Sequence, residues 1–280
     1  MRDDRRRIGI LSAFEPEWEA LHAVLTDVEA LVINGIPAAT GRLEGRDVVV
    51  MMCGMSTVNA AMTAQMIIDR FSVASLVVSG IAGSTDPALN IGDVVIPARW
   101  AQSIEVIMGR DGAGGFAAPG WLTWKADLPG FGMMLPSRVV VGSSTTPPAP
   151  KLWFDVDPAL LAAATVMEDI ALRDHADDGQ RLSHLPRVHI GGSAVSGSAF
   201  IDNVAYRDYL ARVFGARIAD MESAAVAHVA FANGIPFLAL RSVSDLAGDG
   251  GDSNEMMTFM RLAAENSTRV LARFVRTLPT

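Results

Sequence analysis

Cysteine, charge and basic runs are all scarce in this sequence, and each shortage excludes something. Cys53 is the one cysteine in 280 residues, so no disulfide framework can form within the chain, which fits a reducing, cytoplasmic compartment. Lysine and arginine number 23 against 31 aspartates and glutamates, a formal charge of −8. Beyond the short Arg5–Arg7 cluster there is no basic face for a phosphate backbone, so no nucleic-acid partner is expected. With 19% charged and 50% hydrophobic residues, the composition is that of a folded domain and not of a disordered one. The apolar run Ile8–Phe14 behind the charged start is too short, and too soon followed by Glu15, for a signal peptide. Ser223 to Leu240 carries no formal charge and reaches the length at which a membrane span is considered. His228 and the breaker Asn233-Gly234-Ile235-Pro236 divide it into a helix, a turn and a buried strand, so no membrane association is expected. His22, His175, His184, His189 and His228 have no ligand-like spacing, and neither a metal nor another cofactor is expected.

What the sequence does contain is an alternation of short apolar runs with longer helical patterns. Arg7–Ser12 reads as a strand, followed by a helix from about Pro16, because proline suits a first helical turn. Asp47–Cys53 reads as a buried strand and Thr57–Phe71 as a helix; Ser75–Ser79, Asp93–Ile96 and Val139–Val141 read as strands. A helix is expected over Pro158–Leu172, a strand at Val188–Gly191, a helix near Val204–Val213, and a strand into Asp220 leading to a helix from Glu222. Ile235–Val243 closes the strands, and a last helix covers about 254–275. This order predicts an α/β fold with one three-layer α/β/α domain over residues 1–280: a mixed, mostly parallel twisted sheet flanked by helices. Trp100–Trp153, rich in glycine and proline, reads as an irregular insert, either a structural element or a lid.

Sites in such sheets gather at the carboxyl ends of strands. Four places qualify: Ala13-Phe14-Glu15-Pro16-Glu17; Cys53-Gly54-Met55-Ser56-Thr57; Ser79-Gly80-Ile81-Ala82-Gly83-Ser84; and the pair Asp220-Met221-Glu222 with Arg241-Ser242-Val243-Ser244-Asp245. Taken singly each has a plain reading. Acidic residues at a strand–helix junction favour the helix dipole, which is the reading preferred for Glu15, glycines make turns, and Arg241 with Asp245 reads as an ion pair.

Taken together and in order, these segments resemble the 5′-methylthioadenosine/S-adenosylhomocysteine nucleosidases of the wider nucleoside phosphorylase family. Ile8–Glu17 resembles their first strand and acidic turn, Cys53–Ala61 their glycine turn and Val-Asn-Ala-Ala helix start, and Ser79–Ser84 with Asn90–Val95 their glycine-rich stretch and following strand. Ser196–Ile201 is similar to their Ser-Gly-Asp-x-Phe-Ile segment, Asp220–Ala225 to Glu-Met-Glu-x-Ala-Ala, and Pro236–Asp245 to the closing strand. The resemblance implies hydrolysis of a purine N-ribosidic bond, with Asp245 as acid toward N7, Ser244 as its helper and Glu17 activating water. It implies that Glu222 holds the ribose hydroxyls, Met221 lies along the sugar, Phe200 stacks on the base and the Ile201 backbone reads its edge. It places Phe14, Met55, Ala82, Gly83 and Arg241 among the substrate-binding residues, Arg241 orienting the Glu222 region. A homo-oligomer, with a dimer favoured, is implied as well. Ser198 stands where those enzymes carry aspartate, Ile81 where they carry a small hydroxyl residue, and Asp220 where they carry glutamate. The sequence leaves open a phosphate-dependent phosphorylase or a non-catalytic nucleoside-binding relative; the acidic early turn and Val78, where a phosphate-binding arginine is expected, favour water.

Overall fold

The four-residue run Val48–Met51 is fully buried, and it lies in a strand covered on both faces, the environment such aliphatic runs demand. In the computed structural model, which describes residues 3–167, 170–248 and 254–278, that strand is β4 of a twelve-stranded mixed sheet. The sheet strands are β1 (Asp3–Ser12), β2 (Thr26–Ile33), β3 (Ile36–Leu43), β4 (Arg46–Met52), β5 (Phe71–Ser84) and β6 (Val94–Ile96). They continue with β7 (Arg99–Gln102), β8 (Trp153–Asp155), β9 (Val188–Ile190), β10 (Ser193–Ser196), β11 (Ala216–Asp220) and β12 (Phe237–Asp245). The helices are α1 (Glu15–His22), α2 (Thr57–Arg70), α3 (Pro158–Ala164), α4 (Val204–Phe214), α5 (Ser223–Asn233) and α6 (Met256–Thr277). α1 packs with α6 and α2 with α5, giving the three-layer α/β/α arrangement.

β5 is the spine. It runs parallel to β1 and β12 and meets the end of β11 antiparallel. Its length departs from the shorter Ser75–Ser79 strand read in the sequence. Gly80 and Gly83, read there as a turn, stay in the sheet because Arg241 and Ala219 pair opposite them. Residues 26–43, unassigned in the sequence, form the antiparallel hairpin β2–β3, closed by Asn34-Gly35 at φ 53° and 81°. Positive φ at both central residues is what a two-residue hairpin turn needs.

The helix expected over 158–172 is shorter. Asp157 caps α3 by accepting from the Ala159 and Leu160 N–H groups, the helix ends at Ala164, and a 3-10 turn follows at Thr165–Met167; positions 168–169 lie outside the described residues. Ser223–Leu240 divides as read, with Gly234 left-handed after α5. Among the described residues no helix is long and apolar enough to cross a membrane. The Trp100–Trp153 stretch is less irregular than expected. Trp100 is buried in β7, which pairs antiparallel with β8 at the far end of the insert. Between them Val106–Met108 pairs with Met134–Pro136, Arg110–Gly112 with Gly115–Ala117, and Val139–Val141 with Ala149–Lys151. The insert leans on α4 through Phe131, whose ring lies 5.1 Å from Tyr206 and 5.3 Å from Tyr209, and the Tyr209 hydroxyl donates to Pro129 O at 3.0 Å.

Candidate active site

The carboxyl ends of β1, β5, β11 and β12, with the loop after β10, enclose one cavity. Of the two carboxylates in the first turn of α1, Glu15 faces solvent while Glu17 is buried. The helix start turns Glu17 back on the sheet, where Oε2 accepts from Ala13 N at 2.5 Å and Oε1 from Ile81 N at 2.8 Å. Glu222 lies at the N-terminus of α5, and its Oε1 accepts from Ser56 N at 2.8 Å across the sheet top. Asp245 ends β12. Its Oδ2 accepts from Ser244 Oγ at 2.8 Å and its Oδ1 from Ala247 N at 3.0 Å. Glu17 and Asp245 therefore flank β5, one carried by the strand-to-helix turn after β1 and the other by β12.

Beneath the cavity lies Arg241, 0% exposed. Its Nε is 2.7 Å from Asp220 Oδ2 and 3.1 Å from Ser223 Oγ. Nη2 is 3.1 Å from Glu222 Oε2 and Nη1 3.4 Å from Glu17 Oε1. A buried guanidinium persists only when its donors are met by charge, and here three carboxylates supply it. Asp220 further accepts from the hydroxyls of Ser196 and Ser223 and from the N–H groups of Glu222 and Ser223. Gly80 makes the cluster possible, because a Cβ there would fall on the Glu17 carboxylate and on the guanidinium.

Burial raises the pKa of Glu17, against the opposing pull of Arg241 and the Ala13 and Ile81 N–H groups. Burial likewise raises Glu222, with Arg241 opposing and Asp220 and Glu17 adding to the rise. Asp245 is raised by burial too, with Ser244 and the Ala247 N–H pulling the other way. Such displaced carboxyls facing one cavity are the mark of proton-transfer chemistry. Cys53 lies close by, but burial pushes its thiol up first and the charges of Glu222 and Glu17 push it further, which leaves it un-ionised and inert.

Of the residues singled out in the sequence, Phe14, Glu17, Met55, Ala82, Gly83, Phe200, Ile201, Met221, Glu222, Ser244 and Asp245 all line this cavity. Arg241 does not line it. Its grouping with the substrate-binding residues is corrected here, since full burial under three carboxylates leaves it no exposed donor, and it does not pair with Asp245. Sequence reasoning missed Met256, which reaches the cavity from the start of α6, and gave no role to Ser56 within its glycine turn, where the backbone N–H does the work. A backbone donor leaves no residue-type signal. No residue of 103–152 lines the cavity. The insert reaches the site indirectly, through Ile104 against Gly197, Ser103 N bonded to Ser196 O at 2.8 Å, and Phe131, which meets Tyr206 and packs on the same buried cluster as Ile201.

The chain matches the family model described as the phosphorylase superfamily over residues 7–276. It is 29% identical over 281 residues to the 5′-methylthioadenosine/S-adenosylhomocysteine nucleosidase of Mycobacterium bovis, covering 97% of each chain. It is 28% identical over 270 residues to the enzyme of that name from Marinomonas sp., covering 96% of this chain and 98% of the relative. Among solved structures, the nucleosidase of Neisseria meningitidis in complex with methylthio-immucillin-A superposes with a TM-score of 0.73 at 25% identity, over 97% of this chain and 99% of the other.

Proposed function

Since the chain belongs to the phosphorylase superfamily, we propose that it hydrolyses the N-glycosidic bond of a purine nucleoside, a 5′-thio-substituted adenosine such as methylthioadenosine or S-adenosylhomocysteine. The products are free base and ribosyl sugar. The single observation that carries this reading is the pair of buried carboxyls, Glu17 and Asp245, on either side of β5 in one cavity. Cleavage runs through an oxocarbenium-like sugar, which needs an acid behind the leaving base and an activated nucleophile on the other side. Asp245, whose pKa burial raises and which Ser244 and the Ala247 N–H orient, donates to the purine N7. Glu17, fixed by two backbone N–H groups and Arg241, takes the proton of the attacking water. Glu222 accepts from the ribose hydroxyls, Met221 packs along the sugar, and Phe200 stacks on the base beside the Ile201 backbone. Ile81, Phe14, Met55 and Met256 give the cavity an apolar wall, which suits a thioether in place of a hydroxyl.

Water is favoured over phosphate as nucleophile. Among the described residues lining the cavity there is no lysine, arginine or histidine, and the guanidinium of Arg241 is already matched by three carboxylates. A phosphate would meet Glu17 with nothing to offset the repulsion. We further infer a homodimer and cytoplasmic residence. Met55 and Phe200 at the cavity, with Val58 and Met62 on the adjoining face of α2, are 48–75% exposed, an apolar patch that a second copy would cover. The lone buried Cys53 suits a reducing compartment.

The test is a product assay with 5′-methylthioadenosine, S-adenosylhomocysteine, adenosine and inosine, each with and without phosphate. Base and free sugar released independently of phosphate are the expected result. Release that depends on phosphate would make the enzyme a phosphorylase, and no release would leave a binding protein.

A further inference from the structure

The steps above leave three hydroxyls at the rim of the cavity without a part. Ser198 Oγ lies 2.7 Å from Ser56 Oγ, which donates to it, and 2.6 Å from Thr57 Oγ1. One hydroxyl can accept from Ser56 and donate to Thr57 at once, so Ser198 holds both contacts together. It joins two segments 142 positions apart in the chain. One is the loop after β10, which presents Phe200 two residues later; the other is the turn into α2.

Ser56 is the unusual member. It sits at φ 86°, ψ 156°, a region that glycine enters freely and serine does not. A side-chain-bearing residue persists there only when its neighbours hold it, and three do. Its N–H donates to Glu222 Oε1, its C=O accepts from Ala60 N at 3.0 Å, and its hydroxyl is held by Ser198. The first is the bond that aims Glu222, while the last is the one supplied by the base-stacking loop. Loss of that bond would let the torsion relax toward negative φ and carry the Met55–Ser56 peptide off the carboxylate.

We propose that Ser198 is a positioning residue for Glu222, acting through the strained backbone of Ser56, and that it thereby ties the base-stacking loop to the sugar-holding carboxylate. Its effect on turnover rests on the nucleosidase reading above; the tie itself does not. Glu222 is faced by Arg241 from β12, Asp220 from β11, Glu17 from α1 and the Cys53 thiol after β4, and a change at Ser198 alters none of these groups.

The experiment follows the carboxyl carbon resonance of Glu222, assigned with Glu222→Gln, through a pH titration of the ligand-free protein. Ser198→Ala is expected to raise the Glu222 midpoint, because the lost Ser56 N–H favours the ionised form, and Ser198→Thr to restore it. In parallel, Ser198→Ala is expected to lower kcat/KM roughly three- to ten-fold, with the acid limb of the pH profile moved upward. In a Ser56→Gly background, which removes both the strain and the hydroxyl, Ser198→Ala should cost little more. A Glu222 midpoint unmoved by Ser198→Ala, or an equal loss in both backgrounds, overturns the proposal. If the wild-type protein cleaves no nucleoside, the functional reading fails while the titration still decides the tie.

Discussion

Asp245 is held by two donors, Ser244 Oγ and Ala247 N, in a setting that disfavours its charge. Asparagine fits the same place, since its oxygen accepts from Ala247 and the serine hydroxyl can turn to accept from its amide. Asp245→Asn should therefore lower kcat by about 10²- to 10⁴-fold and leave the fold intact; near-normal turnover would remove the acid assignment. It carries a stability signature as well. A carboxyl whose folded pKa is raised contributes stability at low pH that is lost as pH climbs through that pKa. The melting temperature of Asp245→Asn should thus gain on the wild type as pH climbs above the ordinary carboxylate range, as differential scanning fluorimetry would record. Glu17→Gln should abolish hydrolysis while nucleoside still binds, a separation that calorimetric titration checks; a change in KM alone would make Glu17 a binding residue. Arg241→Met leaves Glu17, Glu222 and Asp220 buried without their cation. Breaking such a buried pair costs about 3–5 kcal/mol. Removing the cation raises Glu17 and Glu222 further, so the deficit should shrink as pH falls and these groups take up protons, a trend that denaturant melts at pH 5 and pH 8 would reveal.

At the scale of elements, the long strand β5 does two jobs, pairing with β12 along its length and presenting the Ile81 N–H to Glu17. Gly80→Ala should be poorly tolerated for that reason: crowding of this kind costs about 1–3 kcal/mol, and the methyl lands on the carboxylate and guanidinium that the site needs. Loss of both melting temperature and turnover is expected. The outer hairpin of the insert predicts the opposite. Arg110–Gly112 and Gly115–Ala117 are exposed and line no part of the cavity, so replacing them with a short glycine–serine turn should leave kcat/KM within about two-fold. A larger change would mean that this hairpin steers the loop bearing Phe200. Elements with a strong period or an aliphatic run, such as β4 and α2, could be read directly. β2 and β3 went unread although Asn34-Gly35 announces their turn, because Thr26–Ile33 is mostly exposed and its alternation stops at Ala30, where Ala30–Ile33 runs apolar. The short strands within 103–152 hold only three residues each, too few for any periodicity.

At the scale of the molecule, the residues that face the cavity were legible because their order along the chain follows a familiar pattern, with a carboxylate or glycine after each strand. What stayed hidden depends on contacts distant in sequence: Arg241 turned under the cavity by Gly80, Met256 arriving from the last helix, and Ser198 meeting Ser56. The proposed chemistry also sets a pH profile for the whole enzyme. Activity requires Glu17 and Glu222 ionised and Asp245 protonated, and burial raises all three, so both limbs of the kcat/KM profile should lie above the ordinary carboxylate range. An acid limb at the ordinary carboxylate pKa would contradict the burial of Glu17. The cluster under the cavity has a consequence for descent as well. Gly80, Glu17, Asp220, Glu222 and Arg241 each occupy space or charge that the others require. A lineage drifting toward phosphate as co-substrate cannot simply exchange Glu17 for arginine, because the newcomer would lie against an existing guanidinium. It must change several positions together, so no single substitution at Glu17 carries the site from water to phosphate.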